Sequence, residues 1–480
     1  MSPRQQDFAP RTMPLAHQAE AIRFVLENPQ CAVFDEQGLG KSKIVIDAFA
    51  SLMKQGTISA ALVVAPLTLL FNWEDEVRKH SHLVPVVIRG TPRQKKYQFL
   101  TGANFYIANY EALVGGQLVF EKLLGSRPMA MALDEATRIK SPETRVAQSM
   151  HALGRKAARR VIMTGTPVAN SPADLWSQFL FVDGGELLGT DYQDFKARYD
   201  PTRSDFASQL AELSRLVGSK SIRRMKADVL ELPDKVYVDH RIELHGEQAL
   251  AYSMCANELV VYLRGMDGET YQKSVDDVLE RLLRLVQLAS NPALLDAGYT
   301  GNNTKLAYLD ELLPELLERH EKVLLWSGFV GNVEALASRY AEWGSRYIHG
   351  GTSVEDRAEI VRSFQQVGAP RILVANPAAA REGLTLTRAS AAVYFDRGFN
   401  LVDYLQSQDR IHRIGQEKVC EIHKLVAADT VDEYIDTVID LKSAIADYIY
   451  RPRAEGVQAI EGLLEDKANL ISILGGKENG

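Results

Sequence analysis

Cysteine is scarce in this chain, with three in 480 residues, at positions 31, 255 and 420. Their odd number, wide separation and lack of C-x-x-C spacing argue against a disulfide framework and a structural zinc site. Long apolar runs are missing as well. None approaches the ~18 residues of a membrane-spanning helix, and the opening MSPRQQDFAPRTM lacks the apolar core of a secretory signal. A reducing cytoplasm is therefore the expected location, with no membrane partner. Nor is there an excess of basic charge. The net charge is -7, so any nucleic-acid surface has to be a local patch on an acidic whole. No internal repeat or low-complexity segment is evident.

What is present is the composition of an ordinary globular protein, 46% apolar and 24% charged. The length exceeds the ~250–300 residues at which one core usually stops growing, so two domains are expected. Two stretches alternate short β-rich runs with amphipathic segments, the pattern of a parallel sheet covered by helices. CAVFDE, AALVVAP, NFYIANY, MAMALDE and RRVIMTGTP form the first set, and KVLLWSG, SRYIHGG, PRILVANP, AAVYFDRG and CEIHKLV the second. Between them, VDDVLERLLRLVQLASNPALL spaces Leu and Val by three and four, as a helix does. The expected organisation is an α/β lobe over 1–182, a helical segment over 183–300, a second α/β lobe over 301–450 and a tail over 451–480. Within the tail, VQAIEGLLEDKANLISIL suits a docking helix, and the last residues are expected to be disordered.

The chemistry concentrates in the first lobe. FDEQGLGKSKI follows a strand and runs into an apolar helix, the context of a phosphate-binding loop, and it ends in the Gly40-Lys41-Ser42 of the pattern G-x-x-x-x-G-K-S/T. Gly38 and Gly40 let the backbone approach phosphate oxygens, Lys41 reaches the β and γ phosphates and Ser42 binds Mg2+. Asp35 stands where the general pattern has its first glycine. Taken alone, the stretch also suits an ordinary strand-to-helix turn. Farther on, MAMALDEATRIK puts Asp134 and Glu135 after an apolar strand, where one carboxylate can hold Mg2+ and the next can orient a water. An isolated pair of this kind is usually a solvated loop; paired with Lys41 it reads as a hydrolytic site. VIMTGTPVAN follows, a turn by composition and a third element by its order.

In order, PLAHQAEAI, DEQGLGKS, ALVVAPLTLLFNW, NYEAL, LDEATRIKS and MTGTPVANSPADLWSQFLF resemble the first lobe of the Snf2-type ATPases, a branch of the superfamily 2 helicase-like proteins. Their phosphate loop commonly reads D-E-x-G-L-G-K-S/T, so Asp35 belongs to the family form. SIRRMKADVLELPDKV, LRLVQLASNPALL, VLLWSGFVGNVEAL, YIHGGTSVEDRAEIVRSFQ and FNLVDYLQSQDRIHRIGQEKVCEIHKLVAADTVDEYI extend the likeness over roughly residues 10 to 445. The resemblance implies two tandem RecA-like lobes that use ATP and Mg2+. It implies that Gln18 recognises adenine, that Lys41, Ser42, Asp134 and Glu135 form the hydrolytic site, and that Gly383 sits near the nucleotide at the lobe interface. Arg410 and Arg413 would act from the second lobe as arginine fingers, each such cation being worth ~10^3–10^5 in rate. Two departures stand out. Thr137 takes the His position of D-E-A-H, which implies weaker coupling without loss of hydrolysis. ANPAAAREGLTL places Ala379, Arg381 and Thr385 where the family usually has other residues.

The same resemblance implies a monomeric translocase on double-stranded DNA that remodels DNA or DNA-bound proteins, a minimal member of bacterial or viral type. Phosphate contacts are expected on loops after strands, at Pro66 and Thr68, Asn109 and Tyr110, Lys140 and Ser141, and Thr385. RKAARR at 155–160 and RRMK at 223–226 either add to that groove or are solvated charge. Strand separation is the alternative activity, and a DNA-binding or annealing scaffold with a degenerate ATPase is the third.

Overall fold

A computed structural model describes residues 7–99, 103–265, 275–382, 384–450 and 460. The chain divides into two compact units, Met1–Glu231 with Ala444–Val457, and Leu232–Ser443 with Gln458–Gly480. The expected helical piece over 183–300 is thus not a separate body, because the division falls between Glu231 and Leu232 within it. The tail helix expected within 451–480 lies outside the described residues, Ile460 apart.

The first unit is built on β1 (Gln30–Val33), β2 (Ala60–Ala65), β3 (Pro85–Val87), β4 (Phe105–Asn109), β5 (Met129–Asp134), β6 (Arg159–Met163) and β7 (Ser221–Ile222). They form one sheet in the order β3-β4-β2-β5-β6-β1-β7, and every described pairing is parallel. β2 and β5 are buried along their whole length. That is why AALVVA and MAMALD read as unbroken apolar runs instead of alternating ones. Helix Lys41–Lys54 buries Ile44, Val45, Ile46, Phe49, Leu52 and Met53 against the sheet. Side chains of this kind contribute roughly 1.5–3 kcal/mol each when fully buried.

The second unit contains β8 (Lys235–Ile242), β9 (Val323–Trp326), β10 (Arg346–Ile348), β11 (Ile372–Ala375), β12 (Ala391–Tyr394) and β13 (Cys420–Ala427). Their order is β10-β11-β9-β12-β13-β8, again with parallel pairings. β8 was not expected as a strand. KVYVDHRI is largely exposed because it lies at the sheet edge, paired only to β13 among the described strands. Helices Gly246–Arg264 and Val275–Ser290 share a core with Val431, Ile435, Val438 and Ile439, so the helical segment after 232 belongs to this unit's packing. The α/β class with two parallel sheets covered by helices is as expected.

Candidate functional site

Parallel sheets place ligand-binding loops at the carboxyl ends of their strands. β1 ends at Val33 and the chain turns through Phe34–Gly40 into helix Lys41–Lys54. Gly38 (φ 88°) and Gly40 (φ 81°) adopt left-handed backbone that side chains rarely tolerate. A Cβ on Gly40 would also collide with the Gln18 amide. Gln18 itself accepts a hydrogen bond from Leu15 N at 3.0 Å and donates to Leu39 O at 3.2 Å, while His17 Nε2 lies 3.1 Å from the same carbonyl. The predicted adenine contact therefore sits against the loop, holding its far end. Lys41 Nζ donates to Asp35 O (2.8 Å) and Glu36 O (3.3 Å), so the ammonium lies over its own loop. Ser42 follows it, half-buried, at the helix N-terminus.

Asp35 is fully buried and Arg224 nearly so. Arg224 donates from its backbone N–H and from Nε to Asp35 Oδ1, each at 3.0 Å, and from Nη2 to Oδ2; its Nη1 donates to His17 O. Such a fork is the strong form of a charge-assisted bond, and removing one partner of a buried pair costs about 3–5 kcal/mol. Next along, Lys226 N donates to Glu36 Oε2 at 2.7 Å, and Lys226 is buried. Arg224 and Lys226 are neither groove-lining nor solvated, which corrects both readings of RRMK at those two positions, while Arg223 is half-buried. RKAARR also splits, with Arg155 and Lys156 exposed and Arg159 donating to Val25 O (3.1 Å) and Leu26 O (3.0 Å) at the end of helix Ala16–Glu27.

At the end of β5, Asp134 is held from two directions. Trp73 Nε1 donates to its Oδ2 at 2.8 Å, and Glu135 N to its Oδ1 at 3.0 Å. Burial raises the Asp134 pKa; the Trp73 hydrogen bond and the charge of Lys41 partly oppose that rise. Glu135 has φ 52°, an uncommon conformation for a residue with a side chain and of the kind found at active sites. Gln37 Nε2 donates to Glu135 Oε1 at 2.9 Å. Gln37 also backs onto Gly165, where a Cβ would meet its Cγ at 2.9 Å and lie 3.6 Å from Lys41 Nζ. The TGTP turn is thus a packing surface for the phosphate loop. Thr164 is buried and its Oγ1 accepts from Thr166 N at 3.2 Å. Thr137 lies in the short helix Ala136–Ile139.

Tyr110, expected on DNA, is fully buried at the start of helix Tyr110–Gly115, and its hydroxyl donates to Asp134 O at 2.7 Å. Its side chain supports the acidic pair and cannot reach a phosphate. Pro66 is buried, whereas Thr68 and Ser141 are exposed and Lys140 and Thr385 half-buried. Asn109 Nδ2 donates to Glu111 Oε2 at 2.7 Å.

In the second unit, Arg410 is buried and donates from Nε to Gln406 O at 2.9 Å and from Nη1 to Leu384 O at 3.4 Å. Arg413, half-buried, reaches the same Leu384 carbonyl at 3.4 Å. Both therefore flank the segment after Gly383, which itself lies outside the described residues. Gln416 Nε2 donates to Thr387 O (3.1 Å), Ala389 O (2.8 Å) and Ile411 O (3.0 Å), and His412 Nε2 lies 2.8 Å from Pro233 O.

The donor set in the first unit fits Mg2+. A carboxylate at Asp134 and a hydroxyl at Ser42 are hard oxygen ligands, and among the described residues no group of three or more His, Cys, Asp or Glu side chains forms a closed metal cage. Mg2+ is typically held in this open way, by one or two protein oxygens with phosphate and water completing its shell.

Fold and site together define a class, a protein of two parallel α/β units whose first unit carries a phosphate-loop nucleotide site. The chain matches the SNF2-related domain over residues 17–294 and the Helicase conserved C-terminal domain over residues 304–415. It belongs to the SNF2-related family, a domain of the ATPase class. It is similar to the Putative ATP-dependent helicase/translocase YwqA of Bacillus subtilis (strain 168), 29% identical over 437 residues, covering 86% of this chain and 46% of that protein. It is also similar to the DNA annealing helicase and endonuclease ZRANB3 of Bos taurus, 26% identical over 480 residues, 96% of this chain and 43% of that one. The chain spans less than half the length of these curated relatives. A solved structure, the Sulfolobus solfataricus SWI2/SNF2 ATPase core in complex with dsDNA, is 25% identical, covers 96% of this chain and 97% of its own, and has a TM-score of 0.45. No helix among the described residues is long and apolar enough to cross a membrane.

Proposed function

We propose that this chain is an ATP-driven translocase on double-stranded DNA that remodels DNA or DNA-bound proteins. The observation that carries the reading is the grouping, in one unit, of a glycine-shaped phosphate loop, Lys41, and an Asp134–Glu135 pair fixed by Trp73, Tyr110 and Gln37. Lys41 would exchange its two loop carbonyls for phosphate oxygens. Glu135, aimed by its left-handed backbone and by Gln37, would orient the attacking water. Bound Mg2+, held by Ser42 and Asp134, would neutralise charge on the transferring phosphate. Gln18 is proposed for the adenine, and Arg410 and Arg413 as further cations on the developing charge. The names of the relatives, which include ATP-dependent helicases, support the ATP and DNA parts of the reading.

Steady-state ATPase assays without DNA, with single strands and with duplex test this directly. Stimulation by duplex is expected, with loss of turnover in Lys41→Ala and Glu135→Gln. Robust hydrolysis indifferent to nucleic acid would overturn the assignment. Triplex displacement without fork unwinding is the result expected of a translocase; efficient fork unwinding would identify a strand-separating helicase. Tight DNA binding with no Mg-ATP turnover would identify a scaffold.

A further inference from the structure

Phosphate loops are read by their own residues, yet this one is also held from outside. β7 pairs with β1, matching Ala32 with Ser221 and Val33 with Ile222. The ladder does not stop where β1 does. Ala32 N donates to Lys220 O (2.9 Å), Phe34 N to Ile222 O (2.8 Å) and Glu36 N to Arg224 O (3.0 Å), so the first half of the loop is bonded as a strand edge to residues 220–224. Where the ladder runs out, the side chain of Asp35 takes over and accepts the Arg224 backbone N–H and its guanidinium. The carbonyls of Asp35 and Glu36, the two residues so held, are those that receive Lys41 Nζ.

Charge gives this arrangement its consequence. Asp35 is a fully buried carboxylate in the loop proposed to receive a polyanion. Arg224 covers it, with Glu20 Oε2 at 3.5 Å from Nη1 as the further acidic group near the guanidinium. Left alone, the carboxylate would repel phosphate and compete for the Lys41 ammonium. We infer that Arg224 is a positioning residue for ATP binding: it cancels the Asp35 charge and fixes the two carbonyls that seat Lys41, so that the ammonium stays available to phosphate. This rests on the ATPase reading above and adds to it a residue 189 positions from its partner in the loop.

The test is a charge-deletion cycle read as KM and kcat for ATP at saturating duplex DNA. Arg224→Gln leaves the buried carboxylate uncompensated and is expected to raise KM about tenfold, the scale of one charge at short range in a partly screened site. Its kcat is expected to change by less than about threefold, the signature of lost binding and not of lost chemistry. Adding Asp35→Asn to Arg224→Gln removes the offending charge and is expected to bring KM back towards wild type. A merely structural role would lower the melting temperature of Arg224→Gln while leaving KM unmoved, which would overturn the inference. So would a double variant no better than Arg224→Gln. Should Arg224→Gln fail to fold, Asp35→Asn and the double variant carry the test, with a lower KM expected in Asp35→Asn, where an unopposed Arg224 faces the phosphates; equal values in the two would overturn it. Absence of turnover in the wild-type chain would instead remove the ATPase reading itself.

Discussion

The two units hold their motifs by different means. In the first, besides the bonds from Gln18, Lys41 and Tyr110 to carbonyls, polar side chains from distant segments grip each other, as Arg224 grips Asp35, Trp73 grips Asp134 and Gln37 grips Glu135. In the second, the QSQDRIHRIGQ stretch is fastened to backbone, with Arg410 and Arg413 on the Leu384 carbonyl and Gln416 on three more. Side-chain pairs fix a charge at one point, which hydrolysis requires. Side-chain-to-carbonyl staples fix the path of a loop. The first unit thus fixes charged side chains at points, and the second fixes the path of a loop.

The contrast is broken most severely by removing the chemistry itself. Lys41→Ala or Glu135→Gln is expected to lower kcat by about two to three orders of magnitude with an unchanged melting temperature, measured by ATPase assay beside calorimetry. Next comes Trp73→Phe, which keeps an aromatic ring and deletes the donor to Asp134. Burial already raises that carboxyl's pKa and Trp73 opposes the rise, so the variant raises it further. The expected result is about a tenfold loss of kcat at neutral pH, with the acid limb of the pH–kcat profile moved to higher pH. A fall in kcat with no movement of that limb would show Trp73 to be packing alone. Gln416→Leu tests the other unit, leaving three carbonyls short of a donor, and is expected to cost about 1–3 kcal/mol in urea denaturation.

The smallest effect concerns a chain of imidazoles in the second unit. His240 Nε2 lies 2.9 Å from His423 Nδ1, and His423 Nε2 lies 3.1 Å from Glu421 Oε2. Burial lowers His423 from the ordinary 6.5 to about 4, against the pull of Glu421. Between those values the unfolded chain binds the proton that the folded one refuses, so folding stability declines as pH falls through that window. His423→Gln is expected to flatten the decline in pH-dependent melting; an unaltered slope would assign it to other groups.

Much of the candidate site was legible because a phosphate loop and an acidic pair call for particular residue types in a fixed order. Gly38, Gly40, Lys41 and the Asp134–Glu135 pair declare themselves next to apolar runs that must be buried strands. Asp35 did not declare its partner, which lies 189 residues away and in the sequence looks like ordinary surface charge. Tyr110 was misread because a polar aromatic after a strand suggests a loop, whereas a helix begins there and carries the ring inward. β7 and β8 escaped for related reasons. A two-residue strand has no period to detect, and an edge strand with a wet face, such as KVYVDHRI, lacks the apolar run that marks its buried neighbours.

The late arrival of β7 in the first sheet bears on how the protein can be cut. A fragment ending at residue 182, where the apolar strand runs give out, would lack β7 and Arg224, baring the flank of β1 and stranding a buried carboxylate. Bared strand edges pair with other chains, so such a fragment is expected to precipitate. Extending it to Glu231 restores both the covering strand and the counter-charge, and leaves Ala444–Val457 as the part of the first unit that such a fragment still lacks.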